Sequence, residues 1–165
     1  MRVLLLVLLA CPALSGAPLE RGAPIFSLRM EGLVGQPTTR LSARAGGAFG
    51  VGVRLSDQIA AIADVATRAA PGGPLTTVAI GLSATIDATP VAPYLELSVV
   101  QIGPRGTAAY SLATRTALGA DWAFARGFAI GLVVRQFIAF DPVVDGDAPG
   151  GIEAAFRFVF TPGAR

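Results

Sequence analysis

From residue 25 onward the chain alternates between apolar and polar or very small side chains. In the stretch 40–55, Leu41, Ala43, Ala45, Gly47, Phe49, Val51, Val53 and Leu55 take every second place, with Arg40, Ser42, Arg44, Gly46, Ala48, Gly50, Gly52 and Arg54 between them. A period of two puts each set on its own face of a β-strand. The same period recurs at 25–34, where Phe26, Leu28, Met30 and Gly32 oppose Ser27, Arg29 and Glu31, and at 77–87, where Val78, Ile80, Leu82, Ala84 and Ile86 oppose Thr77, Ser83 and Asp87. In 94–103, Leu95, Leu97 and Val99 oppose Tyr94, Glu96 and Ser98. In 110–124, Tyr110, Leu112, Thr114, Thr116, Leu118, Ala120, Trp122 and Phe124 oppose Ala113, Arg115, Gly119 and Asp121. The segment 127–140 sets Phe128, Ile130, Leu132, Val134, Ile138 and Phe140 against Gly131 and Arg135, and 150–160 sets Ile152, Ala154, Phe156, Phe158 and Phe160 against Glu153, Ala155, Arg157 and Val159.

The segment 58–68 supports two readings. Ile59, Ile62, Ala63 and Ala66 fit a helical face that Ser56 is placed to cap. As a strand it would instead carry Ile59, Ala61, Ala63 and Val65 on one side and Asp64 and Arg68 on the other. Closure decides for the strand, because an up-and-down barrel needs an even number to close antiparallel. The predicted fold is therefore an all-β, eight-stranded antiparallel up-and-down transmembrane β-barrel spanning 25–160. Its connections alternate in length: short at 56–57, 88–91 and 125–126, and mostly longer and richer in Gly and Pro at 35–39, 69–75, 103–106 and 141–150. On these boundaries all 12 prolines fall outside strand interiors, as a hydrogen-bonded ladder requires.

The aromatic face of the last strand is too apolar for water, and its opposite face bears Glu153 and Arg157, which a dry soluble core would resist. Lipid outside and charge inside resolves both demands. The expected lumen-lining charge network is Arg29, Glu31, Arg44, Arg54, Asp64, Arg68, Glu96, Arg115, Asp121, Arg135, Glu153 and Arg157. Eight strands enclose just enough room for side chains, so these groups should close into salt bridges, with Arg29, Arg44 or Arg157 expected to partner Glu153. Such a core can simply neutralise buried charge, or it can form a narrow gated path or an anion site. Tyr110 near one end of its strand and Trp122 and Phe124 at the other, with Phe128 and Phe140, mark the expected membrane girdles. Alternation alone also fits a soluble lipocalin-like ligand-binding barrel, whose apolar face would point inward.

Composition narrows the chemistry. The chain has 165 residues, 53% of them hydrophobic, without a run beyond the N-terminus long enough for a membrane helix. It contains no His, which excludes a Ser-His triad and removes the usual acid, base and zinc ligand. Residues 1–17 have the form of a signal peptide, with Arg2 before an apolar core and small residues at the cleavage region. Leu8-Leu9-Ala10-Cys11 also fits an acylation box, but Cys11 otherwise leaves with the signal, and the rest of the chain has no cysteine. A lead at 18–24 precedes the barrel and a tail at 161–165 follows it. The net charge of +2 is dispersed, with no basic cluster for nucleic acid, and no cofactor or metal is expected.

The final strand resembles the C-terminal signature of bacterial outer-membrane barrels in Glu153, Ala155, Phe158 and Phe160. It departs by having Ala155 where Gly is usual and by continuing past Phe160. The whole pattern is similar to the small OmpA/OmpX-like family of outer-membrane barrels. That resemblance implies the outer membrane of a Gram-negative bacterium with both termini periplasmic, and contact with outer-membrane lipid. It also implies insertion by the barrel-assembly machinery, with Phe156, Phe158 and Phe160 as the insertion signal. The implied role is non-enzymatic, structural or supporting membrane integrity. The alternative is a narrow channel or transporter for a small or lipophilic solute.

Overall fold

The computed structural model describes residues 26–36, 44–69, 73–86, 91–104, 111–140 and 150–162. The expectations placed on 1–17, 18–24, Cys11 and Tyr110 lie outside them. Eight strands follow in chain order: β1 (Phe26–Gln36), β2 (Arg44–Arg54), β3 (Ile59–Arg68), β4 (Leu75–Thr85), β5 (Val91–Pro104), β6 (Ser111–Ala125), β7 (Phe128–Ala139) and β8 (Gly150–Phe160). Each pairs antiparallel with the next, and β1 pairs antiparallel with β8 to close the barrel. Closure leaves no unpaired sheet edge.

The ambiguous third element is a strand, in register from Gly46↔Arg68 to Arg54↔Ala60 with β2. Ser56 does cap, but it caps a turn: its hydroxyl accepts the Ile59 N–H at 3.1 Å, while the Leu55 N–H reaches the Ile59 carbonyl at 2.8 Å. The β6–β7 connection turns at Gly127, whose φ of +74° suits a residue without Cβ. The Gly127 carbonyl then accepts the Thr161 N–H at 2.7 Å, tying the chain after β8 to this turn.

One boundary expectation is corrected. β5 begins at Val91, so Pro93 lies inside a strand, and Pro104 is its last residue. The ladder tolerates Pro93 because its carbonyl accepts the Ile86 N–H at 2.9 Å, and the N–H that proline lacks would face Ile86, just past the end of β4 at Thr85.

The two faces separate as the alternation requires. Phe49, Leu97, Leu118, Leu132 and Phe156 stand exposed on the outer wall, whereas Arg68, Glu96, Arg115, Arg135, Glu153 and Arg157 are buried inside. The soluble lipocalin-like arrangement, with its apolar face inward, is thus not the one adopted. The interior is not uniformly charged. Ala79, Val100, Ile102, Ala113 and Phe137, with Leu75 against them, fill it toward the end away from the short turns. Leu33, Ala66, Tyr94, Ala117, Val133 and Ala155 form a second apolar cluster among the charges.

Candidate functional site

The lumen gathers five arginines and five carboxylates into three groups. In the first, Glu96 Oε1 accepts both Arg29 Nη1 at 2.6 Å and Arg157 Nη1 at 2.7 Å. Arg157 also makes a two-point contact with Asp121, from Nη2 at 2.5 Å and Nε at 3.1 Å. The second is a chain: Arg68 binds Glu153 through Nε and, at 3.1 Å, through Nη2. Glu153 Oε1 also accepts Arg135 Nη1 at 3.3 Å, and Arg135 Nη2 reaches Glu31. The third is a fork, Arg115 to Asp64 at 2.9 and 2.5 Å, with Ser98 accepting a further bond at 3.3 Å. Paired planar forks of this kind suit arginine and not lysine.

These pairs bridge different strands across the interior. Arg29 on β1 meets Glu96 on β5, Arg68 on β3 meets Glu153 on β8, and Arg115 on β6 meets Asp64 on β3. The expected partners of Glu153 are therefore corrected: Arg68 and Arg135 hold it, while Arg29 and Arg157 share Glu96. Arg135 faces Glu153 in the β7–β8 register, whereas Arg68 reaches it from the far wall, since a guanidinium is long enough to span an eight-stranded lumen.

Small residues open the space these side chains occupy. A methyl at Gly131 would collide with the Asp121 carboxylate, and one at Gly119 with the Tyr94 ring. The Tyr94 ring in turn stacks under Arg157, whose guanidinium carbon lies 3.8 Å from the ring centroid. Arg68 is placed similarly over Phe137 at 5.6 Å and donates to Thr77 at 3.1 Å. Tyr94 and Phe137 were not among the expected site residues. The alternation places Tyr94 inward, but nothing in a lone aromatic marks it as an arginine platform.

Arg54 sits apart from the network. It is exposed at the end carrying the short turns, where a vestibule of about 240 Å³ is lined by Arg29, Arg54, Asp57, Gln58, Asp121 and their neighbours. Arg44 opens β2, but its side chain lies outside the described residues. Among the described residues no group of three His, Cys, Asp or Glu gathers as a metal site, and the lumen carboxylates are occupied by arginine.

On the outer wall the rings of Trp122, Phe124, Phe128, Phe158 and Phe160 form a continuous cluster at the short-turn end, with Phe128 and Phe160 centroids 4.9 Å apart. Phe140 is exposed beyond the other end of β7, and Phe156 faces outward above this cluster.

A closed eight-stranded antiparallel barrel with an apolar wall and an ion-paired interior is the architecture of small transmembrane β-barrels. Solved structures share it. Neisserial surface protein A superposes with a TM-score of 0.62 at 14% identity, over 83% of this chain and 96% of that one. The N-terminal β-barrel domain of Pseudomonas aeruginosa OprF gives 0.61 at 11% identity, over 84% and 99%. A de novo designed transmembrane β-barrel gives 0.58 at 12% identity, over 82% and 94%. At these identities the likeness is one of fold. No protein-family model matches the chain, and no curated protein sequence matches it.

Proposed function

We propose that this chain is a non-enzymatic integral outer-membrane β-barrel, with both termini periplasmic, that serves a structural or membrane-integrity role. The carrying observation is the inside-out distribution of charge. Five arginines and five carboxylates neutralise one another within the barrel, and the wall around them is apolar. In water that wall would be a large aggregation-prone surface; in a bilayer it is the required solvent-facing layer. The lack of His and the engagement of the lumen carboxylates leave no evident acid–base pair for catalysis. The aromatic cluster around Phe158 and Phe160 supports a girdle at the periplasmic interface and recognition of the last strand by the barrel-assembly machinery.

Transport of a small solute has one observation in its favour, the vestibule lined by Arg29, Arg54 and Asp57. Against it, the ion-paired groups and the Val100, Ile102 and Phe137 cluster fill the interior behind that mouth. Fractionation and gel mobility test the principal reading. The protein should pellet with outer membranes and migrate differently before and after boiling in detergent. Recovery as a soluble periplasmic protein with a single mobility would refute it.

A further inference from the structure

We propose that the outer wall of β6 and β7 is an interface between two copies of this chain, centred on Gln136 and Thr116. The two residues are cross-strand partners, both point outward, and both are exposed. Gln136 makes no side-chain hydrogen bond to any described residue. Apart from Thr116 and Thr114 on β6, its surroundings are apolar: Leu118, Val134, Ile138 and Ile152 are its exposed neighbours on β6, β7 and β8.

Depth makes this unusual. On β7, Gln136 lies between two outward aromatics, eight residues after Phe128 and four before Phe140. For a strand rising about 3.4 Å per residue and tilted by about 40°, that places it roughly 10 Å inside the upper aromatic and 20 Å from the lower one. An amide at that depth faces hydrocarbon, which offers neither donor nor acceptor. Acyl chains cannot satisfy it.

A second copy can. A primary amide is donor and acceptor at once, so two Gln136 side chains related by a two-fold axis complement each other, as an isologous interface requires. The Thr116 hydroxyl beside each amide adds a further donor and acceptor, and the protruding Leu118, Leu132 and Ile152 supply packing around the polar centre. Intramembrane amide and hydroxyl contacts of this type are a recognised source of association between membrane segments.

The inference rests on the membrane reading above, and the test separates the two. The full chain is folded into phosphatidylcholine vesicles, insertion is verified by the shift in gel mobility on boiling, and energy transfer between donor- and acceptor-labelled copies is followed as lipid is added. The unmodified protein should show transfer that falls with dilution. Gln136→Leu should need about tenfold less lipid to lose it. Thr67→Val, an outward change on β3 across the barrel, should behave as the unmodified chain. Inserted protein without transfer at any dilution, or transfer indifferent to Gln136→Leu, would overturn the interface while leaving the membrane reading intact. Failure to insert would overturn both.

Discussion

Glu31 and Arg157 are Cα partners across the β1–β8 seam that closes the barrel, yet each is bonded elsewhere: Glu31 to Arg135, and Arg157 to Asp121 and Glu96. The seam is therefore held by its backbone ladder, and the charges brace the barrel from within. Cross-lumen bracing couples walls that no ladder joins, such as β3 to β8 through Arg68 and Glu153.

Breaking one brace should cost more than removing it whole. Glu153→Ala leaves Arg68 buried without its carboxylate and takes one of two acidic partners from Arg135, for a loss of about 3 kcal/mol or more. Arg68→Ala in the same chain should recover part of that loss, whereas Arg157→Ala should add to it independently. Urea unfolding in vesicles, followed by the fluorescence of Trp122, the only Trp, measures the unmodified chain, the three single variants and the two doubles. Coupling to Arg157 in place of Arg68 would contradict the network.

Tyr94 separates a ring from its hydroxyl. The ring carries Arg157 at 3.8 Å, while the hydroxyl has no partner among the described residues. Tyr94→Phe should hold stability within about 0.5 kcal/mol, and Tyr94→Leu should lose about 1–2 kcal/mol with the cation–π contact. The same unfolding curves decide it.

Glycines on the two walls should respond oppositely to alanine. Gly131 and Gly119 face inward against Asp121 and Tyr94, so a methyl there forces displacement and should cost about 1–3 kcal/mol. Gly32 on the outer wall has no atom within 4 Å of an added Cβ, and Gly32→Ala should be neutral or slightly stabilising. Equal losses at Gly32 and Gly131 would argue against a crowded lumen.

The last strand should govern insertion. Phe158→Ser combined with Phe160→Ser removes two rings from the cluster with Phe124 and Phe128. Outer-membrane levels of the folded form should drop, read as the heat-shifted band. Unchanged levels would remove these residues from the proposed signal.

The alternation in the sequence carried the architecture well, because period two is a local property and closure supplies the strand that periodicity left open. It identified the inward side of every strand, including Asp64 and Arg68 on β3. Pairing was not legible: Arg135 meets Glu153 through the register of β7 with β8, and Arg68 through reach across the lumen, neither of which is local in sequence. Pro93 is not legible as a strand residue, because its fit depends on the neighbouring strand having ended, a fact of register. The apolar fill at one end was hidden for a similar reason, since Val99, Val100 and Ile102 form a nearly continuous run whose two faces look alike.

In the proposed membrane-spanning barrel the interior is closed by mutually neutralising ion pairs and apolar fill. Planar-bilayer recording of protein first shown to be folded by its heat-shifted mobility reads that closure. No steady single-channel conductance is predicted, because eight strands leave room for these side chains and not for a water-filled path as well. Reproducible openings in the unmodified chain would contradict the closed lumen and move solute passage to the front.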